Sequence, residues 1–187
     1  MIIASCISEY DISKLTTELS GVIEKMIDQP WIMKPEKGKY FGWSALPLYS
    51  INGEVDIYAV DTHISQKYFH MSKPTPFLSY TPYIQSILED FPAQKLRVRF
   101  MMLKAGGHIG VHSDKSYGWE KSIIRLHVPI ITDKNVVFLL DGKLINMEPG
   151  ELWYLDTTRM HEVHNYGDKD KIHLRKKSLI LSHKTFL

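Results

Sequence analysis

The sequence predicts a mainly β protein with helices in its N-terminal part and a closed or two-sheet antiparallel core of the jelly-roll kind. Three observations carry this reading. Apolar residues recur every three or four positions near the N-terminus, and at every second position from about residue 96 onward. Short runs of the second kind follow one another with no helical pattern between them. Residues with turn chemistry separate the runs, so the strands read as antiparallel neighbours rather than as parts of crossover units.

Residues 11–29 place Ile12, Leu15, Leu19, Val22, Ile23, Met26 and Ile27 on one helical face, and Pro30 is the stop. A shorter helix is expected over residues 82–90. Thr81 is its N-cap, Pro82 suits the first helical position, and Ile84, Ile87 and Leu88 face inward. Between the helices, residues 40–51 (YFGWSALPLYSI) read as a strand and Pro74-Thr75-Pro76 as an irregular connection. The later strand candidates are 96–103, 122–131, 136–140, 143–147, 151–155, 161–166 and 171–174. Gly106-Gly107 reads as a hairpin turn, and 132–135, Asp141-Gly142, 148–150 and 167–170 as the other separators. The expected core is thus a closed or two-sheet antiparallel β structure of the jelly-roll and cupin kind.

A length of 187 residues fits a single domain over 1–187. Its parts are a helical and extended support over about 1–95, a β core over about 96–175 and a basic tail over 175–187. Hydrophobic residues at 44% and charged residues at 24% exclude a disordered or fibrous chain. Apolar runs such as 136–140 are far short of the ~20 residues that span a bilayer, so no membrane partner is expected. The N-terminus lacks a basic leader, and the single cysteine, Cys6, cannot form an internal disulfide; both point to the cytoplasm. A net charge of +2 without interleaved aromatic and basic residues argues against a nucleic-acid partner. Histidine is what departs from the average: seven of the nine lie in the last 80 residues, which is where chemistry is to be sought.

In Val111-His-Ser-Asp-Lys115, His112 and Asp114 are two apart and leave an extended backbone on the same face. A second cluster contains His161 and His164. Two imidazoles and one carboxylate on one face of an octahedron leave adjacent positions open, the arrangement of non-haem Fe(II) oxygenases. Strand alternation puts His161, Val163 and Asn165 on one face and Glu162, His164 and Tyr166 on the other. The second face has the composition of a solvated one, so His161 is preferred as the ligand and His164 as a surface residue.

Basic residues share faces on two further strands. Arg125 and His127 stand opposite Ile124, Leu126 and Val128, and Lys171, His173 and Arg175 stand opposite Ile172 and Leu174. Cations so placed suit the carboxylates of a 2-oxoglutarate-type cosubstrate. For 175–177 a simple solvated face is the preferred reading, and Arg97 and Arg99 read as outward strand residues.

The set Arg97-x-Arg99-x-x-x-Leu103, Gly106-Gly107, His112-x-Asp114, Arg125-Leu-His-Val-Pro-Ile130, Gly150-Glu-Leu-Trp-Tyr-Leu-Asp156, His161-x-Val-x-Asn165-x-Gly167 and Ile172-His-Leu174 occurs in this order. It resembles the aspartyl/asparaginyl β-hydroxylase family of Fe(II)- and 2-oxoglutarate-dependent oxygenases, over roughly residues 42–174, and the resemblance implies a double-stranded β-helix (jelly-roll, cupin-like) core. The resemblance implies His112, Asp114 and His161 as iron ligands, with dioxygen as the other cosubstrate. It implies Arg125 and His127 near one end of 2-oxoglutarate and, ten positions after the distal histidine, Lys171 at the far carboxylate. Lys171 is a departure, since the family usually has arginine there, and so is the basic sequence after Leu174. The expected activity is hydroxylation of an unactivated C–H bond in an amino-acid or peptide substrate, at an Asp or Asn side chain or on a free amino acid. The rival is a cupin-like metal or small-molecule binding protein without turnover.

Overall fold

The computed structural model describes residues 4–26, 31–33, 38–56, 66–91, 93–115 and 118–180. Helix α1 is Ile12–Lys25 and α2 is Pro82–Asp90. The strands are β1 (Ala4–Glu9), β2 (Ile32–Met33), β3 (Tyr40–Ile51), β4 (Ser72–Pro74), β5 (Ala93–His112), β6 (Ile123–Ile131), β7 (Val136–Leu140), β8 (Lys143–Leu144), β9 (Glu151–Leu155), β10 (His161–Asn165) and β11 (Lys171–Ile180).

Asp11 caps α1 by accepting the Lys14 amide at 3.1 Å, and the helix closes at Met26, whose amide returns to Ile23. The expected last turn and its stop, Ile27 to Pro30, lie outside the described residues. The α2 bounds agree with expectation, but its cap differs. The Thr81 hydroxyl donates back to the Leu78 carbonyl, and the free amides of Tyr83 and Ile84 are taken by the buried carboxylate of Glu18 on α1. A helix N-terminus attracts an anion, so Glu18 joins the two helices as well as capping one of them.

All strand pairs are antiparallel, in the order β1-β9-β6-β11-β5-β10-β7-β8, with β3 along the other edge of β5 and β2 and β4 on β3. This curled, mostly β sheet is the expected jelly-roll core. Its corner is β5: residues 93–103 pair with β11, and residues 108–112 pair with β10. Gly106-Gly107 is therefore a bulge inside one 20-residue strand, not a hairpin turn. Across it Phe41 pairs with His108 and Trp43 with Leu103, so Lys104 to Gly107 stand opposite Gly42 alone. Gly106 has φ +72°, and a Cβ on Gly107 would lie 2.8 Å from the Lys104 carbonyl oxygen. Glycine allows the strand to bend where any side chain would collide.

Three further expectations are corrected. Pro74, the first residue of the stretch read as an irregular connection, is the last residue of a short strand, Ser72–Pro74, paired with β3. The expected strand over 143–147 is limited to Lys143–Leu144. The segment read as the start of a basic solvated tail continues β11 to Ile180 between β5 and β6, with Lys176 and Lys177 buried at 6% and 4% exposure. Lys176 is accommodated by the ring of Phe91, whose centroid is 3.3 Å from its Nζ. Residues 181–187 lie outside the described residues.

The two faces of the β5-β11-β6 wall differ in chemistry. Val98, Phe100, Ile124, Leu126, Val128, Ile172 and Leu174 pack on Leu15, Leu19, Val22, Ile84 and Leu88 of the helices. Each such side chain contributes about 1.5 to 3 kcal/mol of burial. The opposite face carries Arg97, Arg99, Arg125, His127, Lys171, His173 and Lys177, all buried. A second apolar cluster, Trp43, Ala45, Leu103, Ile109, Phe138, Leu140, Leu155 and Val163, completes the barrel. Among the described residues no helix is long and apolar enough to cross a membrane.

Candidate metal centre

His112 ends β5 and His161 begins β10, and the antiparallel register sets them directly opposite each other with ring centroids 4.1 Å apart. Asp114 lies just past β5, held where its amide donates to the Thr157 carbonyl at 2.8 Å. One donor atom from each of His112, Asp114 and His161 falls within 4.8 Å of the others, and Asp114 Oδ2 is 3.7 Å from His161 Nε2. Each imidazole is oriented by its own strand: His112 Nδ1 donates to the Gly110 carbonyl and His161 Nδ1 to the Arg159 carbonyl, both at 2.9 Å. Because the proton sits on Nδ1, Nε2 presents its lone pair, the state a metal ligand needs.

Electrostatics favours the same state. Burial lowers the His112 pKa, and burial, reinforced by His112 itself, pushes His161 down to about 4, so both rings are neutral near pH 7. For Asp114 burial acts in the opposite direction, but the Arg125 guanidinium in direct contact with it, together with Arg175, holds the carboxyl well below the usual carboxylate range. Two neutral imidazoles and a carboxylate form a donor set for a divalent first-row metal. Phe138 of β7 stacks on His161 at 6.3 Å and 13° and touches the ring of His127.

The other expected site residues lie on the inner face. In register, Arg125 pairs with Lys177 and Lys177 with Arg97; His127 pairs with Arg175 and Arg175 with Arg99. Arg97 and Arg99 are thus inner residues, 4% and 6% exposed, contrary to the outward placement expected from sequence. Lys177 has its ammonium destabilised by burial and by the guanidiniums of Arg125, Arg175, Arg97 and Arg99. His127 is pushed far down by burial, then by Arg175, His173, Arg125 and Lys171. Lys171, two residues along β11 from His173, is lowered to about 7 by burial. His127 Nε2 and both ring nitrogens of His173 have no hydrogen-bond partner among the described residues. Buried donors without partners beside a crowd of cations are costly, and an anionic ligand relieves both.

His164, as alternation requires, is on the outer face, where its Nε2 meets Glu162 at 2.9 Å. Asn165 bonds the next turn: its amide donates to the Leu103, Lys104 and Lys169 carbonyls, and its oxygen accepts the Gly167 amide. Trp119 lines a cavity of about 240 Å³ with Lys115 and Thr158 near the metal centre and packs edge-on against Tyr154; Ser116 and Tyr117 of the same loop lie outside the described residues. Sequence reasoning gave no role to Phe138 and noted His173 only as sharing a face with Lys171; the sequence signal for both was period-two alternation.

Comparison with known proteins agrees with the fold. Several solved structures share the fold at low sequence identity. A 2OG-Fe(II) oxygenase family oxidoreductase from Burkholderia pseudomallei is 12% identical, with 95% of this chain and 85% of that one covered at TM-score 0.56. A Pseudomonas putida prolyl-4-hydroxylase is 11% identical, with 96% and 94% covered at 0.55. A Trichoplax adhaerens prolyl hydroxylase solved with a hypoxia inducible factor peptide fragment is 10% identical, with 95% and 83% covered at 0.57. No curated protein matches the chain. The model of the aspartyl/asparaginyl beta-hydroxylase family matches residues 9–177, nearly the whole chain, and the protein belongs to that family of 2-oxoglutarate-dependent hydroxylases.

Proposed function

We propose that His112, Asp114 and His161 hold Fe(II), that Arg125, His127 and Lys171 bind 2-oxoglutarate, and that the enzyme hydroxylates an unactivated C–H bond of an amino-acid or peptide substrate. The observation that carries this is the convergence of two Nε2 lone pairs and one carboxylate beside a buried basic wall whose His127 Nε2 has no partner. Bound iron supplies the activation of dioxygen that a protein side chain cannot perform. The chain supplies position. The Gly110 and Arg159 carbonyls fix the ring orientations, and Phe138 stacks on one side of His161. Arg125, already in contact with Asp114, places a guanidinium between the metal ligands and the cosubstrate wall. The ammonium of Lys171 pairs with the far carboxylate of 2-oxoglutarate, and His127 donates to the end nearer the metal.

An Asp or Asn side chain in a peptide, or a free amino acid, is the substrate class this reading favours. Family membership supports it, as does the peptide complex of the Trichoplax prolyl hydroxylase. The lone exposed Cys6 thiol suits the reducing cytoplasm, where we place the enzyme. Uncoupled turnover tests the reading without the native substrate. With Fe(II), 2-oxoglutarate and ascorbate as reductant, succinate measured by mass spectrometry is expected to accumulate in air and not under nitrogen. Equal yields in the two atmospheres rule the oxygenase out.

A further inference from the structure

At the end of the barrel formed by the β6-β7 turn and the β8-β9 loop, a cavity of about 440 Å³ opens beyond Lys171 and His173. Its wall is otherwise mixed: Val136, Phe138, Ile145 and Met147 supply apolar surface, Thr132 and Lys134 of the β6-β7 turn supply polar groups, and Asn146 stands exposed in its lining. The acids of the lining, Asp133 and Glu148, lie on the connecting loops rather than on the inner strands; Asp133 already accepts the Asn135 amide at 2.7 Å, and Glu148 is exposed. Pockets of about 300 to 1,000 Å³ are the size that encloses whole small-molecule ligands, so this space exceeds what the far carboxylate of a five-carbon acid needs.

Two nitrogen donors border the cavity, the imidazole of His173, kept neutral by burial and by Lys171, and the Lys171 amine. His173 is 2% exposed, has both ring nitrogens without partners among the described residues, and lies 6.2 Å from His127, on the side toward the metal centre. Lys171 is farther from the metal along β11, by about 7 Å for two residues of strand. Its amine is the longer and more flexible donor, and it replaces the wide, rigid guanidinium that the family resemblance leads one to expect. A carboxylate therefore has a near position at His173 and a far one at Lys171, with open space beyond the second.

We infer that this enzyme accepts 2-oxo dicarboxylic acids longer than 2-oxoglutarate as its cosubstrate, with the additional methylenes placed in the cavity bordered by Lys171 and His173. The inference rests on the proposed oxygenase function. With 2-oxoadipate the C1–C2 bond breaks and C1 leaves as CO2. One atom of dioxygen enters the new carboxylate of glutarate, and the other enters the hydroxylated substrate or, in uncoupled turnover, is reduced to water by ascorbate.

The test begins with the unmodified, Fe(II)-loaded protein under anaerobic conditions, titrated separately with 2-oxoglutarate and 2-oxoadipate. Dissociation constants within about tenfold of each other, a difference of about 1.4 kcal/mol, are expected. In air, 2-oxoadipate is expected to yield glutarate. A Cys6→Ser, Asn146→Cys variant is then capped with a bulky maleimide after folding, so that the fill cannot disturb folding itself. Capping is expected to weaken 2-oxoadipate at least tenfold more than 2-oxoglutarate, whereas capping Glu120→Cys, at the small cavity near Trp119, changes neither. Tight 2-oxoglutarate binding with no 2-oxoadipate binding overturns the inference and leaves the oxygenase reading intact. Binding of both acids with no effect of the Asn146 cap overturns the placement in this cavity. Binding of neither acid removes the oxygenase reading and this inference with it.

Discussion

Two histidine pairs face each other across β5 and β10: His112 with His161, and His108 with His164. The first pair points into the barrel, has each Nδ1 tied to a backbone carbonyl, and meets Asp114. The second lies outside, in a ladder of near-parallel rings. Phe41 and His108 are 6.0 Å apart at 23°, His108 and His164 5.9 Å at 17°, and His164 and Tyr166 5.4 Å at 5°. Its carboxylate neighbour, Glu162, is already bonded to His164. The same residue type in the same cross-strand relation thus serves two ends. What separates them is the third donor, which reaches the inner pair because the chain after β5 is held to Thr157, together with the burial that keeps the inner rings neutral.

The largest expected effect breaks this contrast directly. His161→Ala is expected to lose stoichiometric Fe(II), while His164→Ala retains about one iron per chain, since only the inner ring belongs to the proposed donor set. Iron per chain after anaerobic reconstitution and desalting reads this out. Retention by the first variant with loss by the second inverts the assignment of faces.

The next effect follows the inner face toward its base. Lys171→Ala is expected to weaken 2-oxoglutarate about 10- to 150-fold, the equivalent of a charge-assisted hydrogen bond of about 1.5 to 3 kcal/mol. Iron binding is expected to survive, and Lys171→Arg to retain or tighten the cosubstrate. The pH dependence has a definite sign. Burial lowers the unliganded Lys171 to about 7, and only its protonated form pairs with a carboxylate. Affinity is therefore level below about pH 6 and falls as pH rises above 7, by up to tenfold per unit for one required proton. Lys171→Ala removes that slope. An unchanged dissociation constant in Lys171→Ala with a large loss in Arg175→Ala moves the carboxylate anchor to Arg175.

The smallest effect concerns the outer ladder. Tyr166, 69% exposed, contributes one stacked contact, so Tyr166→Ala is expected to cost less than about 1 kcal/mol of stability. Denaturant unfolding measures it, with the iron stoichiometry unchanged. Loss of iron in this variant shows that the outer ladder supports the inner pair rather than standing apart from it.

Period and spacing alone determined much about this protein. The alternation of Ile124, Leu126 and Val128 against Arg125 and His127, and of His161 against His164, was legible because a strand sends successive side chains to opposite faces whatever it packs against. The family was legible for a related reason: its motif is a set of side chains at separations that the backbone period dictates. Tertiary structure decided what depends on partners distant in sequence. Gly106-Gly107 is locally turn chemistry and becomes a bulge only because β3 and β10 pair alongside it. Thr81 is locally a cap, but Glu18 from another helix satisfies the amides instead. Residues 175–180 are locally a basic, solvated stretch, yet β5 and β6 enclose them on both edges. In each case local propensity is worth a few tenths to about 1 kcal/mol, and the ladder bonds and burial supplied by distant strands outweigh it.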